Sequence, residues 1–188
     1  NGILLGSNNT ASNINVYNNF IWDVSAYGST GVLVSDNSNG IMVNSGGGYN
    51  IYYNSILMST NQVSASGTTA AINISSAITV PNSLNIRNNV FSNTQTIGTR
   101  YAIYSGAAAT VYSAIDNNDY FQGSAPNLGF LGSARSNLVF WQIATGKDFN
   151  SISVDPLFVS ATNLHLQLTS PLNARGVRIG TITTDIDG

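Results

Sequence analysis

Ile51-Tyr52-Tyr53-Asn54-Ser55-Ile56 sets the pattern on which the fold rests: an apolar residue, two spacers, an asparagine, one spacer and a second apolar residue. The pattern returns in Val16-Tyr17-Asn18-Asn19-Phe20-Ile21, in Ile86-Arg87-Asn88-Asn89-Val90-Phe91 and in Ile115-Asp116-Asn117-Asn118-Asp119-Tyr120. Its asparagines stand at 19, 54, 89 and 118, in steps of 35, 35 and 29 residues. A fixed period of this length marks a stacked repeat architecture. Upstream of each motif lies a short apolar run opening on a small residue: Gly2-Ile3-Leu4-Leu5, Gly40-Ile41-Met42-Val43, Ala71-Ile72-Asn73-Ile74 and Ala102-Ile103-Tyr104. Short strands separated by Ser, Asn, Gly and Thr suit a chain that turns corners, and a helical reading does not fit.

If each repeat is one coil, Val16, Ile51, Ile86 and Ile115 stack in one interior column, and Ile21, Ile56, Phe91 and Tyr120 in another. A single coil cannot bury its apolar side; stacked coils can, because each strand pairs with the strand above and below. The asparagines between the columns, Asn19, Asn54, Asn89 and Asn118, are expected at an inward corner. There an amide bonds to turn backbone and to the next coil's asparagine, and asparagine tolerates the left-handed conformation corners need. This is a structural ladder. The Gly46-Gly47-Gly48 segment and the polar stretch 60–69 are expected to be loops projecting from the stack.

Composition agrees with the pattern. Of 188 residues, 43% are apolar and 7% charged, with one lysine (Lys147), no glutamate, no cysteine and a formal net charge of −2. A typical globular domain is about a quarter charged. Periodic apolar content argues against a disordered linker, and scattered arginines argue against a nucleic-acid surface. No run reaches the roughly 18 apolar residues of a membrane span. The absence of cysteine excludes a disulfide framework and thiol chemistry, and the near absence of Lys and Glu points to an extracellular solenoid.

Past Phe121 the repeat breaks down. Gly123-Ser124-Ala125-Pro126-Asn127 reads as a turn and the stretch 139–148 as a short helix or looped excursion. The series Trp141-Gln142, Gly146-Lys147-Asp148, Ser151, Asp155-Pro156-Leu157-Phe158-Val159, Asn163-Leu164-His165-Leu166 and Ser170-Pro171-Leu172-Asn173-Ala174-Arg175-Gly176 resembles the closing section of secreted bacterial right-handed parallel β-helix proteins of pectate-lyase-like fold. Thr184-Asp185-Ile186-Asp187-Gly188 extends the resemblance. It implies an all-β, right-handed parallel β-helix of about four to six coils. Residues 1–122 would form the regular coils and 123–188 the irregular closing coils of the same domain. It also implies that the chain stops before its natural end, with further coils or domains of the same polypeptide as its neighbours. In this frame Asp155-Pro156 starts a coil, Leu164, Leu166 and Leu168 form one buried strand face, and His165 faces outward in a structural or solvent-facing role.

Enzymes of this fold that act on acidic polysaccharides gather several carboxylates with a base. The Asn-Thr-Asp, Asp-Asp, Gly-His-Gly and Arg-Ile-Lys motifs of polygalacturonase-like enzymes are absent from the sequence. An alternative is that catalytic coils lie upstream, with an outward groove where Asp23, Asp36, Arg87 or Asp116 converge. No cofactor is expected. Calcium is the one ion that the pairs Asp116/Asp119 and Asp185/Asp187 suit, although two carboxylates fall short of the about six to eight oxygens it takes. The aromatics Tyr17, Tyr52, Tyr53 and Trp22, with Tyr27, Tyr49 and Tyr101 nearby, are the binding candidates: flat rings with a hydroxyl edge suit a polysaccharide or cell-surface glycan. Thr68, Thr69, Thr94, Thr96 and Thr99 are too irregular for an ice-binding array. The expected function is a non-catalytic segment of a secreted or cell-surface protein, acting as adhesin, scaffold or glycan binder. The alternative is the C-terminal coils of a polysaccharide lyase or glycoside hydrolase.

Overall fold

Isoleucine sets the interior. In the computed structural model, which describes residues 1–29, 37–180 and 182–187, Ile3, Ile41, Ile72 and Ile103 stand in register on neighbouring parallel strands. These strands are β1 (Ile3–Gly6), β4 (Asn39–Ser45), β7 (Thr68–Ile74) and β10 (Thr99–Ser105), extended by β13 (Gly129–Leu131). A second sheet holds β2 (Ile14–Tyr17), β5 (Tyr49–Tyr52), β8 (Leu84–Arg87) and β11 (Tyr112–Asp116). The third holds β3 (Phe20–Trp22), β6 (Ser55–Met58), β9 (Val90–Asn93) and β12 (Asp119–Phe121). Each coil gives one strand to each sheet, which makes a β-solenoid of about three turns, 39% strand and 6% helix.

Both expected columns form. Val16, Ile51, Ile86 and Ile115 are paired across the second sheet, Ile21, Ile56, Phe91 and Tyr120 across the third, and all eight belong to one buried core. Burying each such side chain is worth about 1.5–3 kcal/mol, so the stack rather than any single coil supplies the stability. Small residues open the first-sheet runs because space is short there. A Cβ on Gly40 would lie 2.4 Å from Ile56 Cγ2 and 2.5 Å from the Ala71 carbonyl oxygen.

The asparagine ladder is present, with its corner geometry shifted. Asn54 Oδ1 accepts from Asn19 Nδ2 at 2.8 Å, Asn89 Oδ1 from Asn54 Nδ2 at 2.9 Å and Asn118 Oδ1 from Asn89 Nδ2 at 3.0 Å. The same oxygens accept the backbone N–H of Asn19, Asn54 and Asn89. Each amide nitrogen also donates to a carbonyl one coil back: Asn54 to Val16, Asn89 to Ile51 and Asn118 to Ile86. The left-handed residue is not the ladder asparagine, as the sequence suggested, but the one before it: Asn18, Tyr53, Asn88 and Asn117, with φ between 50 and 58°. The ladder side chain must turn inward while the backbone reverses, so the strained step falls one position earlier. Three of the four are asparagines, which tolerate that conformation, and Tyr53 is the bulky exception.

Gly46-Gly47-Gly48 is a packed corner and not a projecting loop. Cβ atoms there would come within 2.6 Å of the Ser7 carbonyl oxygen, 2.6 Å of the Thr10 carbonyl oxygen and 2.5 Å of the Ser12 nitrogen. The coils touch backbone to backbone at this corner, which only glycine permits. Of the stretch 60–69, residues 60–67 do form a loop, while Thr68 and Thr69 already belong to β7.

Four coils stack, at the lower end of the four to six expected, and the winding stops where β14 (Ser133–Arg135) folds back antiparallel on β13. Helix α1 (Leu138–Thr145) follows, its first turn capped by the Asn137 side chain accepting from the Phe140 N–H and its end closed by left-handed Gly146. Trp141 on this helix is fully buried against the last coil. Asp155-Pro156 does not start a coil. It leads into an antiparallel hairpin, β15 (Phe158–Ser160) and β16 (Asn163–Leu166), which packs on β6 outside the third sheet. Leu164 is buried and Leu166 half-buried, but Leu168 is 100% exposed, since the strand stops before reaching it.

Candidate functional site

Polar groups at the corner between the second and third sheets have two destinations. Inward, the ladder ends on a buried carboxylate: the Asn118 N–H donates to Ser151 Oγ at 2.8 Å, and Ser151 Oγ donates to Asp148 Oδ1. Asp148 Oδ2 accepts from the Tyr120 hydroxyl at 2.6 Å and the Trp141 indole at 2.7 Å. Burial pushes this carboxyl up while its three donors pull it down. With every donor committed to the interior, Asp148 is a structural end-stop.

Outward, the left-handed corner residues hold the C-terminal segment as a strap. The Asn88 amide donates to the Val177 carbonyl at 2.8 Å and accepts the Val177 N–H at 2.9 Å, so it pairs with that peptide as a neighbouring strand would. The Tyr53 hydroxyl donates to the same carbonyl at 2.7 Å and accepts the Ile179 N–H at 2.9 Å. Asn18 Nδ2 donates to the Thr184 carbonyl at 2.7 Å. The strap thus runs back along the corner from the third coil to the first.

Between strap, hairpin and corner lies a cavity of about 230 Å³. Its walls carry the amides Asn88, Asn117 and Asn150, the apolar side chains Val90, Leu166 and Leu172, and the charged groups Asp119 and Arg175. Asp119 is 3% exposed; its Oδ1 accepts the Val154 N–H at 3.0 Å, and its Oδ2 has no hydrogen-bond partner. Burial pushes its carboxyl up to about 7, helped by nearby Asp155 and opposed by the Val154 and Tyr120 N–H groups. The wall contains one carboxyl and neither a second carboxyl nor an imidazole. Its chemistry is hydrogen bonding and apolar contact.

Of the residues singled out from the sequence, Tyr17, Tyr52, Arg87 and Asp116 fall in one register row across the second sheet, and the others are dispersed. Tyr17 and Tyr52 are neighbours on the outer side of the second sheet; Tyr17 is exposed, while Tyr52 is buried with Arg87 5.5 Å above its ring. Trp22 is exposed outside the third sheet, in a row that continues as Leu57 and Ser92. Tyr53 holds the strap. Asp116 accepts from Asn150 N at 2.8 Å and Nδ2 at 2.7 Å, away from Asp119. Asp185 accepts the Asp187 N–H, and Asp187 lies 3.1 Å from His165 Nε2, whose ring meets Phe20 edge-on. Asp23 bonds to Thr60, while Arg87 and Asp116 are register neighbours on the second sheet; Asp36 lies outside the described residues. Among the described residues, no three acidic, histidine or cysteine side chains gather as a metal site.

Sequence reasoning missed Phe130, which stacks on Tyr104 at 4.6 Å and 8° outside the first sheet. The small-then-apolar signal that marks the other first-sheet strands is present in Gly129-Phe130-Leu131, beyond the point where the asparagine period fails. The cavity itself had no such signal. Comparison with known proteins gave no match to a family model, to a curated protein or to a solved structure.

Proposed function

We propose that this chain is a non-catalytic segment of a secreted or cell-surface β-helix protein, bacterial and pectate-lyase-like in fold, serving as a scaffold or adhesin that holds a glycan. The observation that carries the reading is a stack with few charges, held together by its asparagine ladder. Its asparagines bond to one another from Asn19 to Asn118, and its outer face offers exposed rings such as Tyr17 and Trp22. A rigid frame with flat amphipathic rings suits neutral sugar faces. A surface with one lysine, no glutamate and no cysteine in the whole sequence supports an extracellular setting.

A glycan array run beside a polysaccharide-cleavage screen, each with and without calcium, tests this. Binding without cleavage is expected, unchanged by calcium. Cleavage by this chain would overturn the proposal, and cleavage only by a form carrying additional upstream coils would favour the lyase or hydrolase alternative.

A further inference from the structure

We propose that Asn18, Tyr53 and Asn88 form a docking track for an extended polypeptide segment along the corner between the second and third sheets. The chain's own strap, residues 175–187, is the resident occupant, and the strap of a second copy is the occupant in exchange. The proposal is independent of the glycan-binding reading.

The track recognises main chain. Asn18 and Asn88 donate to the Thr184 and Val177 carbonyls, Asn88 accepts the Val177 N–H, and the Tyr53 hydroxyl bonds both to the Val177 carbonyl and to the Ile179 N–H. Each of these groups stands at the left-handed corner position of a different coil, so the spacing of the row is set by the stack and not by the strap. The strap brings no strand of its own: among the described residues, no main-chain bond joins 176–187 to the coils. Its side chains lie mostly in solvent. Ile179 is buried, Ile182 is half-buried, and Val177 and Arg178 are exposed. A segment therefore fits if it offers free peptide groups and one β-branched apolar side chain, a mode in which main-chain bonds give affinity and a single side chain gives specificity.

The foot of the strap favours exchange. Asn173 is fastened to the Gln167 and Leu168 carbonyls, and between that anchor and the first track contact stands Ala174 at φ 60°, a left-handed step that a residue with a Cβ rarely adopts. A strained hinge feeding a lightly held segment is the arrangement in which identical chains swap an element. At its far end the strap places Asp187 3.1 Å from His165 Nε2, an exposed contact that contributes little and that a second copy's strap reproduces. The tether gives the strap an effective concentration on its own track of about millimolar order. Exchange is therefore expected where copies are crowded to that degree, while a lone chain in dilute solution keeps its own strap.

The test keeps the 188-residue chain intact. Ile179→Asp puts a charge where the strap's buried side chain sits and so frees the track. A fluorescent peptide of residues 174–188 is titrated into this variant and into the unsubstituted chain, read by polarisation, with thermal melts to check folding. Saturable binding to Ile179→Asp is expected, about tenfold or more tighter than to the unsubstituted chain, whose own strap competes. Adding Tyr53→Phe is expected to weaken it about fivefold or more, because both bonds of that hydroxyl are lost. A peptide carrying Ile179→Asp is expected not to bind, and one carrying Arg178→Ala, which alters an exposed side chain, to bind unchanged. Should Ile179→Asp not fold, Val177→Pro, which removes the N–H that Asn88 accepts, releases the strap instead. No binding to a folded, released chain overturns the track, and binding indifferent to Tyr53→Phe overturns its place at the corner. Sedimentation equilibrium at about millimolar concentration is expected to show dimer for the unsubstituted chain and monomer for Ile179→Asp; monomer in both overturns the exchange between copies.

Discussion

Asn89 shows how much one residue carries in this fold. Its Oδ1 accepts two donors from Asn54, its Nδ2 reaches Asn118 Oδ1 and the Ile51 carbonyl, and it is almost fully buried. Asn89→Ala strands the buried Asn54 N–H, at about 1–3 kcal/mol, and takes one hydrogen bond each from the Asn54 amide, the Asn118 amide and the Ile51 carbonyl. The expected loss is about 3–4 kcal/mol in urea denaturation. Asn19→Ala, at the half-buried open end of the same ladder, is expected to cost about 1 kcal/mol or less. Equal losses at the two positions would mean that water satisfies the ladder throughout. Asp119 makes the opposite contribution. Its folded carboxyl titrates near 7, above the ordinary value of about 4, so between those values the folded chain holds a proton that the unfolded chain has released. Stability therefore falls as pH rises from about 4 to 7 and the penalty is complete above that. Melting temperature is expected to be lower at pH 8 than at pH 5, and Asp119→Asn is expected to flatten most of the decline. An unchanged slope in the variant would assign the effect to Asp148, whose carboxyl is also raised.

At the scale of the element, legibility followed repetition. The strands of the first four coils could be read because Ile41, Ile72 and Ile103, and Ile51, Ile86 and Ile115, recur with fixed neighbours, and parallel pairing in register turns a sequence period directly into a spatial column. β13 escaped because Gly129 occupies the place where Ile103 stands on the strand before it. The corner conformation was read one residue late. Both positions are asparagine at 18–19, 88–89 and 117–118, and only Tyr53-Asn54 distinguishes the outward residue from the inward one. The strap and cavity were illegible for a different reason. Asn88 and Val177 are 89 residues apart, and nothing in an isolated Gly176-Val177-Arg178 segment says that a corner amide will accept its backbone. Sites assembled from the outward face of a repeat and a non-repeating segment carry no period of their own. Hairpin β15–β16 was misplaced on similar grounds: Leu164 and Leu166 alternate as a coil strand would, and what decides their partner is a turn at 161–162.

At the scale of the whole molecule, the two ends of the stack are sealed unequally. At the C-terminal end, Trp141, Tyr120 and Phe91 are fully buried, and Ile152 pairs beyond Asp119 to continue the third sheet. At the other end, Leu5, Val16 and Ile21 retain 8, 9 and 7% exposure, where the next coil's Val43, Ile51 and Ile56 retain 0%. In a solenoid each coil is held chiefly by its neighbours, so opening of residues 1–188 starts where the core is thinnest. On the first coil this is opposed by the bond from Asn18 to Thr184 of the strap and by the edge-on contact of His165 with Phe20. Native-state hydrogen exchange is therefore expected to rank the coils, with the paired amides of β1, β2 and β3 exchanging first, β4–β6 next, and β7–β9 last near the global unfolding limit. The ranking separates local unwinding from cooperative melting. Uniform exchange across all the coils would mean that the asparagine ladder couples the stack into one unit and that end exposure has no weight, while fastest exchange at β10–β12 would place the weak end beneath helix α1.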